Sequence, residues 1–238
     1  MSVYIVTGAS RGLGLEFVKQ LAEAGKTVFA CARNPQKSEK LSVLIDNKHV
    51  FGIKLDTTST DSIQTAAKEI DEKAPNGVNV LINNAGISGD AQYDVLTTPE
   101  SDYVNVFKTN VVGVSNVVQG FLPLLRKSGD GVKKIMNMSS ILGSIAAMED
   151  GSGWGFGSSY CVSKAAVNMM TKMMSNALAK ENFIVYASHP GWCDTDMGSS
   201  KAPTRTEDSI KGQLVILDRL TAKDNGAYID FEGNHLNW

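Results

Sequence analysis

Two side chains with complementary acid–base chemistry, Tyr160 and Lys164, are four residues apart in the sequence. Residues at this spacing share one face of a helix, so the lysine ammonium can lie close to the phenol. A nearby positive charge favours phenolate and lowers a phenol pKa from its ordinary value of about 10. The pair therefore predicts a tyrosine that exchanges a proton with a substrate. A tyrosine and a lysine on a solvated helix are the alternative interpretation.

A glycine-rich turn follows the first apolar run of the chain and precedes an amphipathic segment. Its residues are Thr7-Gly8-Ala9-Ser10-Arg11-Gly12-Leu13-Gly14. Glycines at a strand-to-helix turn let backbone N–H groups approach a pyrophosphate, which then lies at the positive end of the helix dipole. We therefore predict a dinucleotide site at this turn, although glycines also serve turns and caps for structural reasons alone.

The chain contains seven short apolar runs that could form buried strands. These strands would position the tyrosine–lysine pair and the glycine-rich turn. They span residues 3–7, 27–31, 50–55, 78–82, 133–138, 184–188 and 226–229. Amphipathic segments separate the first six runs, and this alternation is typical of a parallel sheet with helices on both faces. The sequence predicts an α/β fold, a doubly wound Rossmann-type sheet of seven strands in a three-layer α/β/α arrangement.

Two long helices are predicted over residues 100–127 and 158–180. The first carries apolar side chains at three- and four-residue steps, which predicts a core-facing helix that Pro123 kinks or shortens near its end. The apolar positions are Val104, Phe107, Val111, Val114, Val118, Phe121, Leu122 and Leu125 in the first helix, and Val162, Ala166, Met169, Met170, Met173 and Leu178 in the second. We interpret the methionines as core or subunit contacts.

The composition and charge bear on the domain organisation, the partners and the location of the protein. The 238 residues carry a net charge of −2 and show no linker, which favours a single domain over residues 1–238 and makes nucleic acid a poor partner. No apolar run approaches the roughly 20 residues that span a bilayer, and no signal peptide is evident, so we predict a cytoplasmic protein. Three cysteines without metal-ligand spacing indicate neither disulfides nor a metal site.

Five motifs occur in a fixed order along essentially the whole chain. They are Thr7-Gly8-xxx-Gly12-x-Gly14, Asn83-Asn84-Ala85-Gly86, Asn110, Tyr160-Cys161-Val162-Ser163-Lys164 and Pro190-Gly191. In this order they resemble the short-chain dehydrogenases/reductases. The segments 138–144, 189–197 and 230–233 look most like the branch that holds the carbonyl reductases, the C-factor proteins and the sniffer proteins.

This resemblance implies an NADPH-dependent oxidoreductase that reduces a small aldehyde, ketone or quinone, with Tyr160 as the general acid. It implies that Lys164 tunes Tyr160 and that Asn110 orders a water linking the lysine to solvent. Ser140 matches the serine that polarises the carbonyl, with Ser139 as a close rival. Ser140 and Tyr160 are 20 residues apart, more than in the family, which leaves Ser144 as a weaker candidate.

NADP(H) is favoured over NAD(H) by the residues after the second strand. That segment has Arg33 and no acidic residue, and an arginine there accommodates a 2′-phosphate. Arg11 is a second cation within reach, although either arginine could be a surface residue. The resemblance implies further cofactor contacts at Asp56 beside the adenine, and at Asn83, Gly86, Pro190, Gly191 and Thr195.

The chain is longer than the family pattern between its serine and tyrosine, and the extra residues fall within 147–157. Trp154 and Phe156 in this insertion, together with Trp192, are predicted substrate contacts. An equal alternative is that the two aromatic side chains pin the loop to the core. We interpret His189 as a packing residue at the end of a strand.

Two questions stay open at this stage. A non-enzymatic dinucleotide-sensing or signalling protein on the same fold is the main alternative function, against which the complete set of Asn110, Ser140, Tyr160 and Lys164 argues. The resemblance also suggests a homodimer through the helices 100–127 and 158–180. The added loop could instead cover that surface and leave a monomer.

Overall fold

A seven-stranded parallel sheet forms the centre of the protein. The structure, a computed structural model, describes residues 2–148 and 157–238. The strands are β1 Val3–Thr7, β2 Thr27–Ala32, β3 Val50–Lys54, β4 Val80–Asn83, β5 Lys133–Met138, β6 Phe183–His189 and β7 Tyr228–Asp230. Each predicted run overlaps one strand, so the doubly wound fold is confirmed.

The helices are α1 Gly12–Glu23, α2 Glu39–Ser42, α3 Thr60–Lys73, α4 Glu100–Phe107, α5 Gly113–Arg126, α6 Ser158–Leu178 and α7 Thr206–Arg219. The predicted helix 100–127 is two helices joined by a π-helical turn, Lys108–Val112. Pro123 lies inside α5, which continues to Arg126, so the expected shortening is wrong. Across residues 2–148 and 157–238, no helix has the length and apolar composition that crossing a membrane requires.

Each face of the sheet packs against its own helices, because neighbouring side chains on a strand point to opposite faces. Tyr4 and Val6 of β1 join the apolar cluster with α1 and α7. Ile5, between them in sequence, joins the cluster with α3 and α5 on the other side. Strands buried on both faces explain why the runs are continuously apolar rather than alternating.

The outer faces of α4 and α6 are more apolar than expected. Val104 and Phe107 on α4 and Val162, Met169 and Met173 on α6 are exposed, with 65% exposure for each of the two methionines. The prediction that Val104 and Phe107 face the core is therefore wrong, whereas the exposure of Met169 and Met173 leaves the interpretation of the methionines as subunit contacts. The buried face of α6 is mostly polar, because it lies against the hydrogen-bonding groups of the cleft described below. The homodimer through these helices stays a prediction.

The strand order β3-β2-β1-β4-β5-β6-β7 reverses direction at β1. The chain proceeds from β1 to β2 and β3 on one side, and continues with β4 on the other. Helices that leave β1 and β4 therefore diverge, and a crevice opens at the carboxyl ends of these strands. The glycine-rich turn follows β1 at this point.

Candidate active site

A cleft of about 920 Å³ lies along the carboxyl edge of the sheet. Arg33 and Asp56 line it beyond β2 and β3, and Ser140 and Tyr160 line it beyond β5. The other predicted site residues that line it are Gly8, Ser10, Arg11, Gly12, Leu13, Gly86, Lys164, Pro190, Gly191, Trp192 and Thr195. Gly14, Asn83 and Asn110 lie behind its wall. Trp154 and Phe156 lie outside the described residues.

The glycine-rich turn has the backbone that a phosphate site requires. Gly8 and Gly12 have φ angles of +68° and +53°, a region that favours glycine. A Cβ atom at Gly8 would lie 2.8 Å from Cα of Ala85. Arg11, the N-cap of α1, makes no side-chain capping bond to the described residues, so the first N–H groups of α1 remain available to a phosphate. These features fit the pyrophosphate of a dinucleotide.

Gly14 brings α1 against this turn, because a Cβ atom there would lie 2.3 Å from the carbonyl oxygen of Gly8. That oxygen belongs to the backbone, so it cannot move without changing the turn. Gly14→Ala is expected to lower the free energy of unfolding by about 1–3 kcal/mol and to weaken NADPH binding. Chemical denaturation and fluorescence titration measure the two effects. Gly131→Ala is the control, because a Cβ atom at Gly131 meets nothing within 4 Å, and equal effects of the two variants would contradict the prediction.

Asn84, rather than the predicted Asn83, lines the cleft. Asn83 is buried in the sheet, where it donates to Oδ1 of Asn137 at 2.9 Å. Neighbouring side chains at the end of β4 point in different directions. Asn83 therefore lies in the sheet interior, whereas the next residue, Asn84, lies in the cleft. Asn84 donates through Nδ2 to the carbonyl oxygen of Thr7 at 2.9 Å, and its N–H donates to Oγ1 of Thr7 at 3.0 Å. The predicted contact of Asn83 with a cofactor stays a prediction.

Tyr160 and Lys164 lie on the buried face of α6, as their spacing predicts. Lys164 Nζ is 5.4 Å from the centre of the Tyr160 ring and donates to the carbonyl oxygen of Met138 at 2.7 Å. Burial raises the pKa of Tyr160 to about 12, and a hydrogen bond with Ser140 acts in the opposite direction. The expected lowering of this pKa is therefore wrong for the protein without cofactor, because burial of the phenol outweighs its neighbours.

Burial also lowers the pKa of Lys164 to about 8. The side chain is only 5% exposed. An ammonium ion in such surroundings loses hydration, which disfavours its charged form. Lys164 therefore stays mostly protonated at neutral pH, although it gives up its proton more readily than an ordinary lysine does.

The structure separates the three candidate serines. Ser140 makes the hydrogen bond with Tyr160, and its Oγ accepts from the N–H of Leu142 at 3.3 Å. Ser139 Oγ donates to Oδ1 of Asn168 at 2.5 Å, away from Tyr160. Ser144 Oγ donates to the carbonyl oxygen of Asn237 at 2.7 Å. The geometry favours Ser140, whose hydroxyl lies beside the phenol.

Asn110 lies in the π-helical turn and is fully buried. Its side chain accepts from the N–H of Ile87 and donates to the Ile87 carbonyl oxygen, both at 2.9 Å. It also donates to Oγ of Ser163 on α6 at 3.0 Å. The side chain thus ties the segment after β4 to α6. Its predicted role of ordering a water stays a prediction.

Charged groups gather at the β2–β3 end of the cleft. Asp56 accepts hydrogen bonds from Thr58, which lower its pKa, and the positive charges of Arg33 and Lys108 lower it further. Lys108 was not among the predicted site residues. Its position two residues before Asn110 is the feature of the sequence from which it could have been predicted as a site residue. Arg33 is exposed, so its guanidinium is open to an anion.

Arg11 forms an ion pair with Asp196 across the cleft, with 3.2 Å between Nη1 and Oδ2. Both side chains are more than 70% exposed, so the pair itself contributes little to stability. The contact joins the glycine-rich turn to the segment that follows β6. A phosphate at the turn would compete with Asp196 for the same guanidinium.

The segment after β6 forms the wall opposite the glycine-rich turn. Thr195 accepts from the N–H of Gly198 at 3.1 Å and approaches Gly12. Trp192, which is 46% exposed, donates to the carbonyl oxygen of Gly198. His189 accepts from the N–H of Ile141 at 3.2 Å, and burial lowers its pKa to about 4. This contact agrees with its interpretation as a packing residue.

A metal site made of His, Cys, Asp or Glu ligands would require a group of three or more such side chains. In the part of the chain that the structure describes, no such group could hold a metal ion.

Known proteins share both the sequence pattern and the architecture. A profile of the short chain dehydrogenase family matches residues 2–206. An uncharacterized oxidoreductase of Schizosaccharomyces pombe is 35% identical over 250 residues, covering 97% of this chain and 96% of that protein. The NADPH-bound carbonyl reductase from chicken fatty liver has a TM-score of 0.90 and 34% identity, with 100% of both chains covered. Carbonyl reductase Sniffer of D. melanogaster has a TM-score of 0.89 and 31% identity, with 100% of this chain and 99% of that chain covered.

Proposed function

Since the chain belongs to the short chain dehydrogenase family, we propose that it uses NADPH to reduce the carbonyl group of a small aldehyde, ketone or quinone. One observation carries the proposal. The hydroxyl of Ser140 is hydrogen-bonded to the buried phenol of Tyr160, and Lys164 lies beneath the ring. The similarity to NADPH-bound carbonyl reductase supports the choice of reaction and cofactor.

Tyr160 is the proton donor in this proposal. With a pKa near 12, the phenol is protonated at neutral pH and can give its proton to a carbonyl oxygen. NADPH, when bound, supplies the hydride for the carbonyl carbon. The ammonium group of Lys164 then stabilises the phenolate that Tyr160 leaves behind. At neutral pH nearly all of the phenol is in the protonated form that reduction requires.

Ser140 holds the substrate oxygen in place. Its Oγ accepts from the N–H of Leu142, and its hydroxyl, which is hydrogen-bonded to Tyr160, can donate its proton to a carbonyl oxygen that lies beside Tyr160. A donor aimed at developing negative charge lowers the barrier without reorganisation during the reaction. Ser140 therefore acts as the positioned donor, and Tyr160 completes the proton transfer.

The dinucleotide is bound along the sheet edge in this proposal. The N–H groups at the start of α1 bind the pyrophosphate, and Lys164 binds the nicotinamide ribose. Arg33 and Arg11 bind the 2′-phosphate that distinguishes NADPH from NADH. Both arginines line the cleft and are exposed, and Asp56 beside Arg33 faces the adenine.

The double substitution of Arg11 and Arg33 by alanine is expected to raise the Kd of NADPH by about 10–100-fold, because each charge-assisted bond to phosphate contributes about 1.5–3 kcal/mol before offsets. The Kd of NADH is expected to change by less than about threefold. Fluorescence titration measures both constants. Arg205→Ala is the control, because that exposed arginine lies outside the cleft. Equal losses for the two dinucleotides would contradict this account of cofactor choice.

The direct test of the function follows the loss of NADPH absorbance with a panel of aldehydes, ketones, diketones and quinones. Turnover that prefers NADPH over NADH supports the proposal. Tight NADPH binding without turnover on any compound would favour a dinucleotide-sensing protein instead.

A further inference from the structure

Tyr228 of β7 reaches the candidate active site through the protein interior. Its hydroxyl donates to the backbone carbonyl oxygen of Ser140 at 2.6 Å, across 88 residues of sequence. The side chain is only 1% exposed, and burial raises its pKa, so the hydroxyl stays a donor at physiological pH. Tyr228 does not line the cleft, so it cannot contact a substrate there.

The turn that carries Ser140 is held at several other points. The N–H of Gly143 donates to the carbonyl oxygen of Ser140 at 2.8 Å within the turn itself, and Nδ2 of Asn168 on α6 donates to the carbonyl oxygen of Gly143 at 3.1 Å. Ile141 is held by His189 of β6. The bond from Tyr228 reaches the Ser140 carbonyl oxygen from outside the turn, so it fixes the Ser140 peptide relative to β7.

Residues 234–238 hold Tyr228 and the same turn together. The ring of Trp238 stacks on the Tyr228 ring, with 5.2 Å between centroids and 20° between planes. The Trp238 carbonyl oxygen accepts from the N–H of Ala146 at 3.1 Å. One residue earlier, the Asn237 carbonyl oxygen accepts from Oγ of Ser144 at 2.7 Å. The segment thus covers the tyrosine and also binds residues that follow Ser140.

We infer that Tyr228, supported by the stacked ring of Trp238, is a positioning residue that sets the place of the Ser140 hydroxyl relative to Tyr160. The inference rests on the proposed carbonyl reduction for its effect on turnover. A displacement of a fraction of an ångström at Ser140 weakens a bond that must form as charge develops on the substrate oxygen. In this case the Ser140 hydroxyl remains a hydrogen-bond donor, but it is displaced from the position that the substrate oxygen requires.

Tyr228→Phe removes one oxygen atom from the buried contact and keeps the aromatic ring. The chain offers a matched control, because the Tyr186 hydroxyl is equally buried and has no hydrogen-bond partner among the described residues. Tyr186→Phe makes the same chemical change on β6, the strand next to β7. A general effect of deleting a buried hydroxyl would therefore appear in both variants.

We expect Tyr228→Phe to lower kcat by about tenfold while the KM for the carbonyl substrate and the Kd for NADPH change by less than about twofold. Tyr186→Phe should leave all three constants unchanged. Trp238→Ala should lower kcat in the same manner, and Trp238→Phe, which keeps a ring on Tyr228, should restore most of it. An unchanged kcat in Tyr228→Phe would overturn the inference.

A double-mutant cycle separates positioning from a general structural role. If Tyr228 acts through Ser140, Tyr228→Phe should have no further effect on kcat in a Ser140→Ala background. A further loss as large as in the wild-type background would overturn the inference.

Crystal structures of the wild type and Tyr228→Phe provide a readout that needs no turnover. The inference expects Oγ of Ser140 to move away from the Tyr160 oxygen in the variant, and an unchanged position would overturn it. A wild-type enzyme inactive on every carbonyl compound would count against the proposed function alone, since these structures would still decide whether Tyr228 positions Ser140.

Discussion

Tyr160→Phe is expected to reduce kcat for carbonyl reduction by roughly 10²–10⁴-fold, because the variant lacks the proton that the proposed mechanism transfers to the substrate oxygen. The phenyl ring still fills the buried position on α6, so NADPH binding should change little. NADPH consumption with a reactive carbonyl compound measures the first quantity, and fluorescence titration of NADPH measures the second.

The matched control is Tyr103→Phe. The Tyr103 hydroxyl donates to Oγ of Ser158 at the start of α6, outside the cleft. This variant should retain wild-type turnover, while thermal unfolding of both variants reports any loss of structure. Full activity in Tyr160→Phe would refute its assignment as the general acid.

Lys164→Met is expected to abolish most turnover and yet to stabilise the cofactor-free protein. The buried lysine has a pKa near 8 in the folded chain, against an ordinary value of 10.5. At about 1.4 kcal/mol per pH unit, this difference means that the charged side chain costs about 3 kcal/mol of stability at pH 7. Loss of the bond to Met138 offsets about 1 kcal/mol. The net expected gain is about 2 kcal/mol.

The pH dependence gives this prediction a signature of its own. Below pH 8 both the folded and the unfolded chain hold the lysine proton, so the full cost is present. Between pH 8 and 10.5 the folded chain releases the proton first, and the cost disappears as the pH rises. Wild-type stability should therefore rise relative to that of Lys164→Met over this interval, as measured by chemical denaturation at a series of pH values.

Lys172→Met is the appropriate control for the lysine. Lys172 is exposed on the same helix and lies outside the cleft. We expect neither a gain in stability nor a loss of turnover from this substitution. A Lys164→Met protein that is less stable than the wild type at pH 7 would contradict the assignment of a buried, destabilising charge.

The fold was predictable because the pattern of a buried parallel sheet is strong and local. Each of the seven apolar runs corresponds to one strand, and the family and its carbonyl-reductase branch followed from motifs after those strands and on the helices between them. β4 and β7 each begin two residues later than predicted. Strand ends depend on pairing with neighbours, which a single run of residues does not contain.

Parts of the site were not predictable, because they depend on contacts between distant elements. Asn83 and Asn84 are adjacent and identical in type, and only the geometry of β4 decides which one faces the cleft. The contact of Tyr228 with Ser140 joins β7 to the turn after β5, and no local sequence pattern predicts this contact. Burial of Tyr160 raised a pKa that the nearby Lys164 was expected to lower.

The helix α6 shows most clearly where apolar periodicity fails. Its apolar positions Met169 and Met173 face outward, while Ser163, Asn168 and Thr171 are buried. Their partners are Asn110, Ser139 and Asn137, which lie on other elements. When hydrogen bonds rather than apolar contacts hold the inner side of a helix, the hydrophobic pattern predicts the exposed face of that helix as its buried face.

This polar inner face gives α6 a different response to cold from that of the helices that apolar contacts hold on the sheet. Apolar burial, which holds α1, α3, α5 and α7 on the sheet, becomes weaker on cooling because its driving force is largely entropic near room temperature. Exposure of polar surface changes the heat capacity in the opposite sense to exposure of apolar surface. The attachment of α6, and with it the placement of Tyr160, is therefore expected to lose less of its strength at low temperature than the attachment of the helices around it.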